Sequence, residues 1–138
     1  MVIDVSVWVG YFLPQDKHHA ATVSWLEALT KAGEALSVPT LLFPELAGAI
    51  ARRSGSSELG IEAARQVLGW PLMELVPQDE ALITLATQLA AELPVRGADS
   101  IYIAAAKLLG RSLITWDEEQ LSRGSRIVAT HLPKAAGQ

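Results

Sequence analysis

Val2-Ile3-Asp4-Val5-Ser6-Val7-Trp8 sets a carboxylate and a hydroxyl inside an apolar, β-branched run near the start of the chain. Alternation of valine and isoleucine with smaller or polar residues favours extended backbone, so the run predicts a strand over 2–8 with Asp4 and Ser6 late in it. An unpaired carboxylate in such a run is expensive to bury, so Asp4 needs partners or a task. A second run, Leu113-Ile114-Thr115-Trp116-Asp117-Glu118-Glu119, predicts a strand over 112–115 followed directly by Asp117. Two acids thus fall at strand ends.

Between these runs, apolar extended pieces alternate with helical ones. Helical spacing of Ala21, Trp25, Leu26 and Leu29 predicts a helix from about His18 to Ala32, with Gly33 as its stop. Short strands are expected over 35–38, 72–76 and 127–129. Further helices are expected over 40–53, 57–68, 80–93, 100–109 and 118–123, several opened by a capping residue and closed by glycine. Short strands separated by helices imply a mainly parallel sheet covered on both faces, a three-layer α/β/α sandwich. Its functional crevice should lie at the carboxyl ends of the strands. Asp99 before a helix and Glu45 in the first or second turn of another are able to face that edge.

Composition narrows the chemistry. The chain has 138 residues, half of them hydrophobic, enough for one packed domain. No apolar run approaches the roughly 20 residues that span a bilayer. The opening MVIDVSVW lacks the basic start and long apolar stretch of a signal peptide, so cytoplasmic residence is the expectation. There is no cysteine, which excludes disulfides, thiolate metal sites and a cysteine nucleophile. The net charge of −4, from 11 basic and 15 acidic side chains, ordinarily argues against a nucleic-acid partner. Asp4, Glu45, Asp99 and Asp117 account for −4 by themselves when ionised, so a bound cation leaves a near-neutral surface.

Four carboxylates in one cleft repel one another, and proteins tolerate such clusters chiefly to hold a divalent cation. Mg²⁺ or Mn²⁺ on oxygen ligands acidifies water and neutralises phosphate oxygens, as phosphodiester hydrolysis requires. Mg²⁺ keeps several waters and takes one or two carboxylates directly. Asp4 and Asp99 are assigned as direct ligands, with Glu45 and Asp117 holding metal-bound water or a second ion. Ser6 and Thr115 orient carboxylates or touch phosphate. The reaction expected is water attack at phosphorus, leaving a 5′-phosphate and a 3′-hydroxyl. Each acid also has a structural reading: Asp117 and Asp99 as helix N-caps, Glu45 as a surface residue paired with a base.

The order D-x-S at Asp4–Ser6, P-E-L at Pro44–Leu46, A-D-x-x-Y-I-A-A-A at Ala98–Ala106 and L-I-T-x-D at Leu113–Asp117 resembles a PIN domain of the VapC toxin type. The resemblance covers about residues 1–130 and implies one PIN domain over 1–132, with a flexible tail over 133–138. It implies a metal-dependent endoribonuclease, the toxin of a toxin-antitoxin pair, whose acids are Asp4, Glu45, Asp99 and Asp117, with Glu119 as a further acid. It also implies an RNA substrate, an inhibitory antitoxin and a homodimer. Trp8, Tyr11, Phe12, Trp25 and Leu29 offer an apolar groove for an antitoxin helix. Two other readings stay open: an inert PIN-like module that binds RNA or protein, and an aspartate-based phosphoryl-transfer domain. The latter wants D-x-D where this chain has Asp4-Val5-Ser6.

His18 and His19 are adjacent, face different directions on a helix and suit surface contact better than a shared metal. Arg52, Arg53, Arg96, Lys107 and Arg111 are candidate contacts to RNA backbone, and Trp116, beside Asp117, is the aromatic best placed to touch substrate.

Overall fold

The computed structural model of the chain describes residues 1–134. The tail expected over 133–138 lies mostly outside them. Five short parallel strands form the centre: β1 (Val2–Ile3), β2 (Leu36–Pro39), β3 (Met73–Val76), β4 (Leu113–Ile114) and β5 (Thr130–His131), in the order β3-β2-β1-β4-β5. Every pairing is parallel, with Val2 opposite Ser37 on one side and opposite Leu113 on the other. Val2, Ile3, Leu36, Val38 and Leu113 are almost wholly buried, as expected for strands covered on both faces.

Among the described residues seven helices flank the sheet: α1 (Val5–Phe12), α2 (His19–Lys31), α3 (Leu42–Ser54), α4 (Ser57–Leu68), α5 (Glu80–Glu92), α6 (Gly97–Leu109) and α7 (Glu118–Gly124). Helix α6 lies along β1, β2 and β4, and α5 packs on α6; α1 packs on α2 and α3, and α3 on α4. The result is the expected three-layer α/β/α arrangement. Gly60 permits the α3–α4 approach, because a Cβ there would stand 2.3 Å from the Ala47 carbonyl oxygen. Among the described residues no helix is long and apolar enough to cross a membrane.

The chain runs from β1 outward to β2 and β3, then returns to the other side of β1 for β4 and β5. The direction of winding therefore reverses between β1 and β4, and a crevice opens where the loops leaving these two strands diverge.

Three sequence expectations need correction. The strand expected over 2–8 ends at Ile3, and Val5–Phe12 is a helix. Asp4 caps it, its carboxylate accepting from the Ser6 N–H. Burial of Val7 and Trp8 against the core outweighs the weak β preference of the valines. Helix α6 starts at Gly97 with Arg96 as N-cap, so Asp99 is not a cap but an acid inside the first turn. The last strand is Thr130–His131 rather than 127–129, because the N–H groups of Ile127 and Val128 still bond the Gly124 carbonyl that ends α7.

Candidate active site

The crevice between β1 and β4 is built from the residues that follow the two strands. The Asp4 N–H extends the ladder to the Ile114 carbonyl, and the Thr115 N–H bonds the His131 carbonyl. Both side chains are fixed at the sheet edge. Asp4 Oδ2 accepts from the Ser6 hydroxyl at 2.6 Å, the Ser6 N–H at 3.2 Å and the Thr115 hydroxyl at 3.0 Å. Ser6 Oγ in turn accepts from the Trp116 N–H, and Thr115 Oγ1 from the Asp117 N–H. The single Thr115 hydroxyl proton is shared between Asp4 Oδ2 and Gln120 Oε1, one acceptor at a time.

Asp4 Oδ1 has no such partner. It is buried, and no protein group donates to it. Burial pushes the Asp4 carboxyl up to about 6, against the pull of the Ser6 and Thr115 hydrogen bonds and with a push from the Asp99 charge. A buried carboxylate oxygen without a donor is a group whose unmet charge a hard cation can satisfy.

Glu45 sits in the first turn of α3, where its Oε1 accepts a 2.7 Å bond from the Tyr102 hydroxyl of α6. It is half-buried, and burial holds its carboxyl above the usual range, helped by Asp99 and opposed by the Tyr102 bond. Asp99 is likewise raised, first by burial and then by the charges of Asp117 and Glu119, while Arg96 pulls it down. Arg96 Nε stands 3.4 Å from Asp99 Oδ2, with a guanidinium side chain that is 80 % exposed. The charges of Asp4, Glu45, Asp99 and Asp117 thus act on one another through Asp99. Asp117 caps α7, its Oδ1 accepting from the Gln120 N–H at 2.8 Å. The cap expected of Asp117 is present, and Asp117 lines the same cleft as Ser6.

The donor set is all oxygen and suits Mg²⁺ or Mn²⁺. Among the described residues no three His, Asp or Glu side chains close on one point as a ready metal cage.

Other residues named from the sequence fall in different places. Glu119 is largely exposed and pairs with Arg123 on α7, at the rim rather than among the inner acids. Arg111 precedes β4, at the amino end of the strands, and binds Ser37 and Glu74 away from the crevice. Trp8 is fully buried, edge-on to Trp70, and Trp25 is only 7 % exposed, so neither lines an open groove as expected. Both lie on inward faces because α1 and α2 turn their aromatic stripes to the core. Tyr11, Phe12 and Leu29 remain half-buried, and Phe12 borders a groove of about 380 Å³ with Ile50 and Leu59.

Sequence reasoning missed Tyr102 and the side-chain role of Gln120. Tyr102 follows Asp99 by three on α6, a spacing that puts both on one face. Gln120 was legible as the capping partner of Asp117, but its side chain instead reaches across to Thr115 and the Asp99 carbonyl.

A doubly covered parallel sheet with Asp4 and Asp117 at its switch point defines a doubly wound α/β domain. The chain belongs to the PIN domain family, whose model matches residues 1–126. Solved structures agree in fold. A Mycobacterium tuberculosis VapC20 structure, described as a sarcin-ricin loop cleaving toxin, superposes with a TM-score of 0.73 at 14 % identity, covering 88 % of this chain and 92 % of that one. VapBC2 from Rickettsia felis, bound to a promoter DNA fragment, gives 0.71 at 16 %, covering 95 % and 96 %. FitAcB from Neisseria gonorrhoeae gives 0.71 at 20 %, covering 96 % of both. Comparison with curated protein sequences found no match.

Proposed function

We propose that the chain is a Mg²⁺- or Mn²⁺-dependent endoribonuclease and the toxin of a toxin-antitoxin pair. The observation that carries this reading is Asp4: a buried carboxylate at the switch point, locked through Oδ2 and without a donor at Oδ1. Asp4 and Asp99 hold the cation, while Glu45 and Asp117 hold its waters. The cation, when bound, supplies an acidified water and charge neutralisation at phosphorus. Ser6 and Thr115 keep the Asp4 carboxylate aimed, and Tyr102 does the same for Glu45. Arg96, exposed at the mouth, meets the phosphate as substrate enters.

Membership of the PIN family supports the nuclease class, and the toxin structures of like fold support the toxin assignment. The antitoxin follows from the VapBC and FitAB complexes of like fold. Tyr11, Phe12 and Leu29 are the residues of the expected groove that stay accessible to it. The proposal includes a cytoplasmic location, a single domain ending near 132, and a homodimer.

The test incubates the purified chain with total RNA and Mn²⁺, Mg²⁺ or chelator, beside Asp4→Asn and Asp99→Asn. Metal-dependent cleavage lost in both variants supports the reading. Cleavage retained in both removes this site, and no cleavage of any RNA favours an inert binding module.

A further inference from the structure

Beside the acids, a cleft of about 710 Å³ runs from Ser6 and Asp117 along Lys17, His18, Arg53 and Trp116. In its wall the His18 imidazole lies flat on the Trp116 indole, with ring centroids 3.9 Å apart and planes within 2° of parallel. Both rings are half-buried.

The stack is fastened from several elements. The Trp116 indole N–H donates to Thr22 Oγ1 at 2.9 Å, and the Thr22 hydroxyl donates to the His18 carbonyl at 2.7 Å. Thr22 is fully buried, and Gly10 of α1 leaves it room, since a Cβ there would stand 3.0 Å from its hydroxyl. Asp16 accepts from the His18 N–H through one oxygen and from Arg53 of α3 through the other, at 2.9 Å each. Burial alone would raise Asp16, but the bonds from His18 and Arg53 outweigh it and hold its carboxyl below the usual range. Two loops and three helices thus fix one pair of parallel rings. On the other side, the Trp116 N–H binds Ser6 Oγ, which holds Asp4.

A nucleobase offers the same flat π face as these rings, and an aromatic platform that is already rigid loses little entropy on receiving it. Lys17 and Arg53, the latter paired with Asp16, line the cleft together with Asp117, Glu118 and Glu119, and the two cations suit the phosphates on either side of such a base. Stacking is tolerant of base identity but demands an unpaired base, because a base inside a duplex has both faces covered.

Building on the nuclease reading, we propose that the His18–Trp116 stack is a base platform: it receives one unpaired nucleobase of an RNA strand laid along this cleft, next to the bond presented to the acids. Trp116 and His18 are then substrate-positioning residues, and the favoured substrate is a single-stranded loop or end.

The test uses the full chain carrying Asp99→Asn, so that cleavage is silenced, and a short fluorescent single-stranded RNA. Binding is read by anisotropy for the intact strand and for a series with one abasic ribose at successive positions. In the parent, one abasic position should weaken binding about tenfold. Adding His18→Ala should weaken the intact strand to a similar extent and erase the effect at that position, while His18→Phe should restore both. Trp116→Ala serves as a second variant where its melting curve shows that it folds. An abasic effect undiminished in His18→Ala, or equal weakening of intact and abasic strands by that change, overturns the platform. So does a parent without any position-dependent abasic effect. If that parent's wild-type counterpart still cuts RNA, the nuclease reading stands and the platform alone falls; if it neither binds nor cuts, both fall.

Discussion

At the level of single residues, Asp4 is the most informative side chain. Its carboxyl is raised to about 6 by burial, above the ordinary 3.8. Below 3.8 it is protonated in both folded and unfolded chains and contributes nothing to pH dependence. As pH rises from about 4 to about 6 the unfolded chain gives up this proton while the fold retains it, so the metal-free fold loses stability across that window. Asp4→Asn should remove this component: in chelator, the variant's stability relative to wild type should rise between pH 4 and pH 7, measured by urea denaturation. The same substitution should lower metal-dependent RNA cleavage by about 100-fold or more. Arg96 acts in the other direction. Its guanidinium competes with a cation for Asp99, so Arg96→Gln should tighten Mn²⁺ binding by about two- to fivefold, the scale of an exposed ion pair, in calorimetric titration. Unchanged or weaker Mn²⁺ binding would show that Arg96 and the cation do not share Asp99.

For the elements, packing decided what local preference did not. Helix α4 was legible to its end residues from the serines before it and Gly69 after it, although the cap is Ser56 and not the expected Ser57. Helix α1 was not, since its valines read as strand and only tertiary burial turns them into a helix. The consequence for the site was mild, because Asp4 precedes the change and stays at the sheet edge under either reading. Asp99 shows the converse: the start of α6 was misplaced by three residues, yet its acid kept the right face. What the sequence could not disclose was pairing at a distance, such as Tyr102 with Glu45 across 57 positions. Tightness of the α3–α4 pair is open to measurement. Gly60→Ala adds a methyl group 2.3 Å from backbone, which no rotamer relieves, and should destabilise the fold by about 1–3 kcal/mol in denaturant unfolding, despite alanine's better helix preference. A neutral or stabilising result would mean that the two helices part at little cost.

Across the whole molecule, metal and fold should be linked, because the cation removes the repulsion and the unsatisfied oxygen that the bare site carries. At about 100 times its dissociation constant a ligand stabilises the native state by about 2.7 kcal/mol, on the order of 10 °C in melting temperature for a chain of this size. Mn²⁺ should produce such a rise in a thermal melt, chelator should reverse it, and Asp99→Asn should blunt it. A melting temperature indifferent to Mn²⁺ would separate these carboxylates from any cation. The chain order of the sheet adds something of another kind. The hydroxyl that aims Asp4, on Thr115, stands 111 positions after it in the chain. A chain that stops between Asp99 and β4 therefore holds three of the four acids but lacks the hydroxyl that aims the first. Asp4 thus gains its full set of hydrogen bonds only when β4 pairs beside β1.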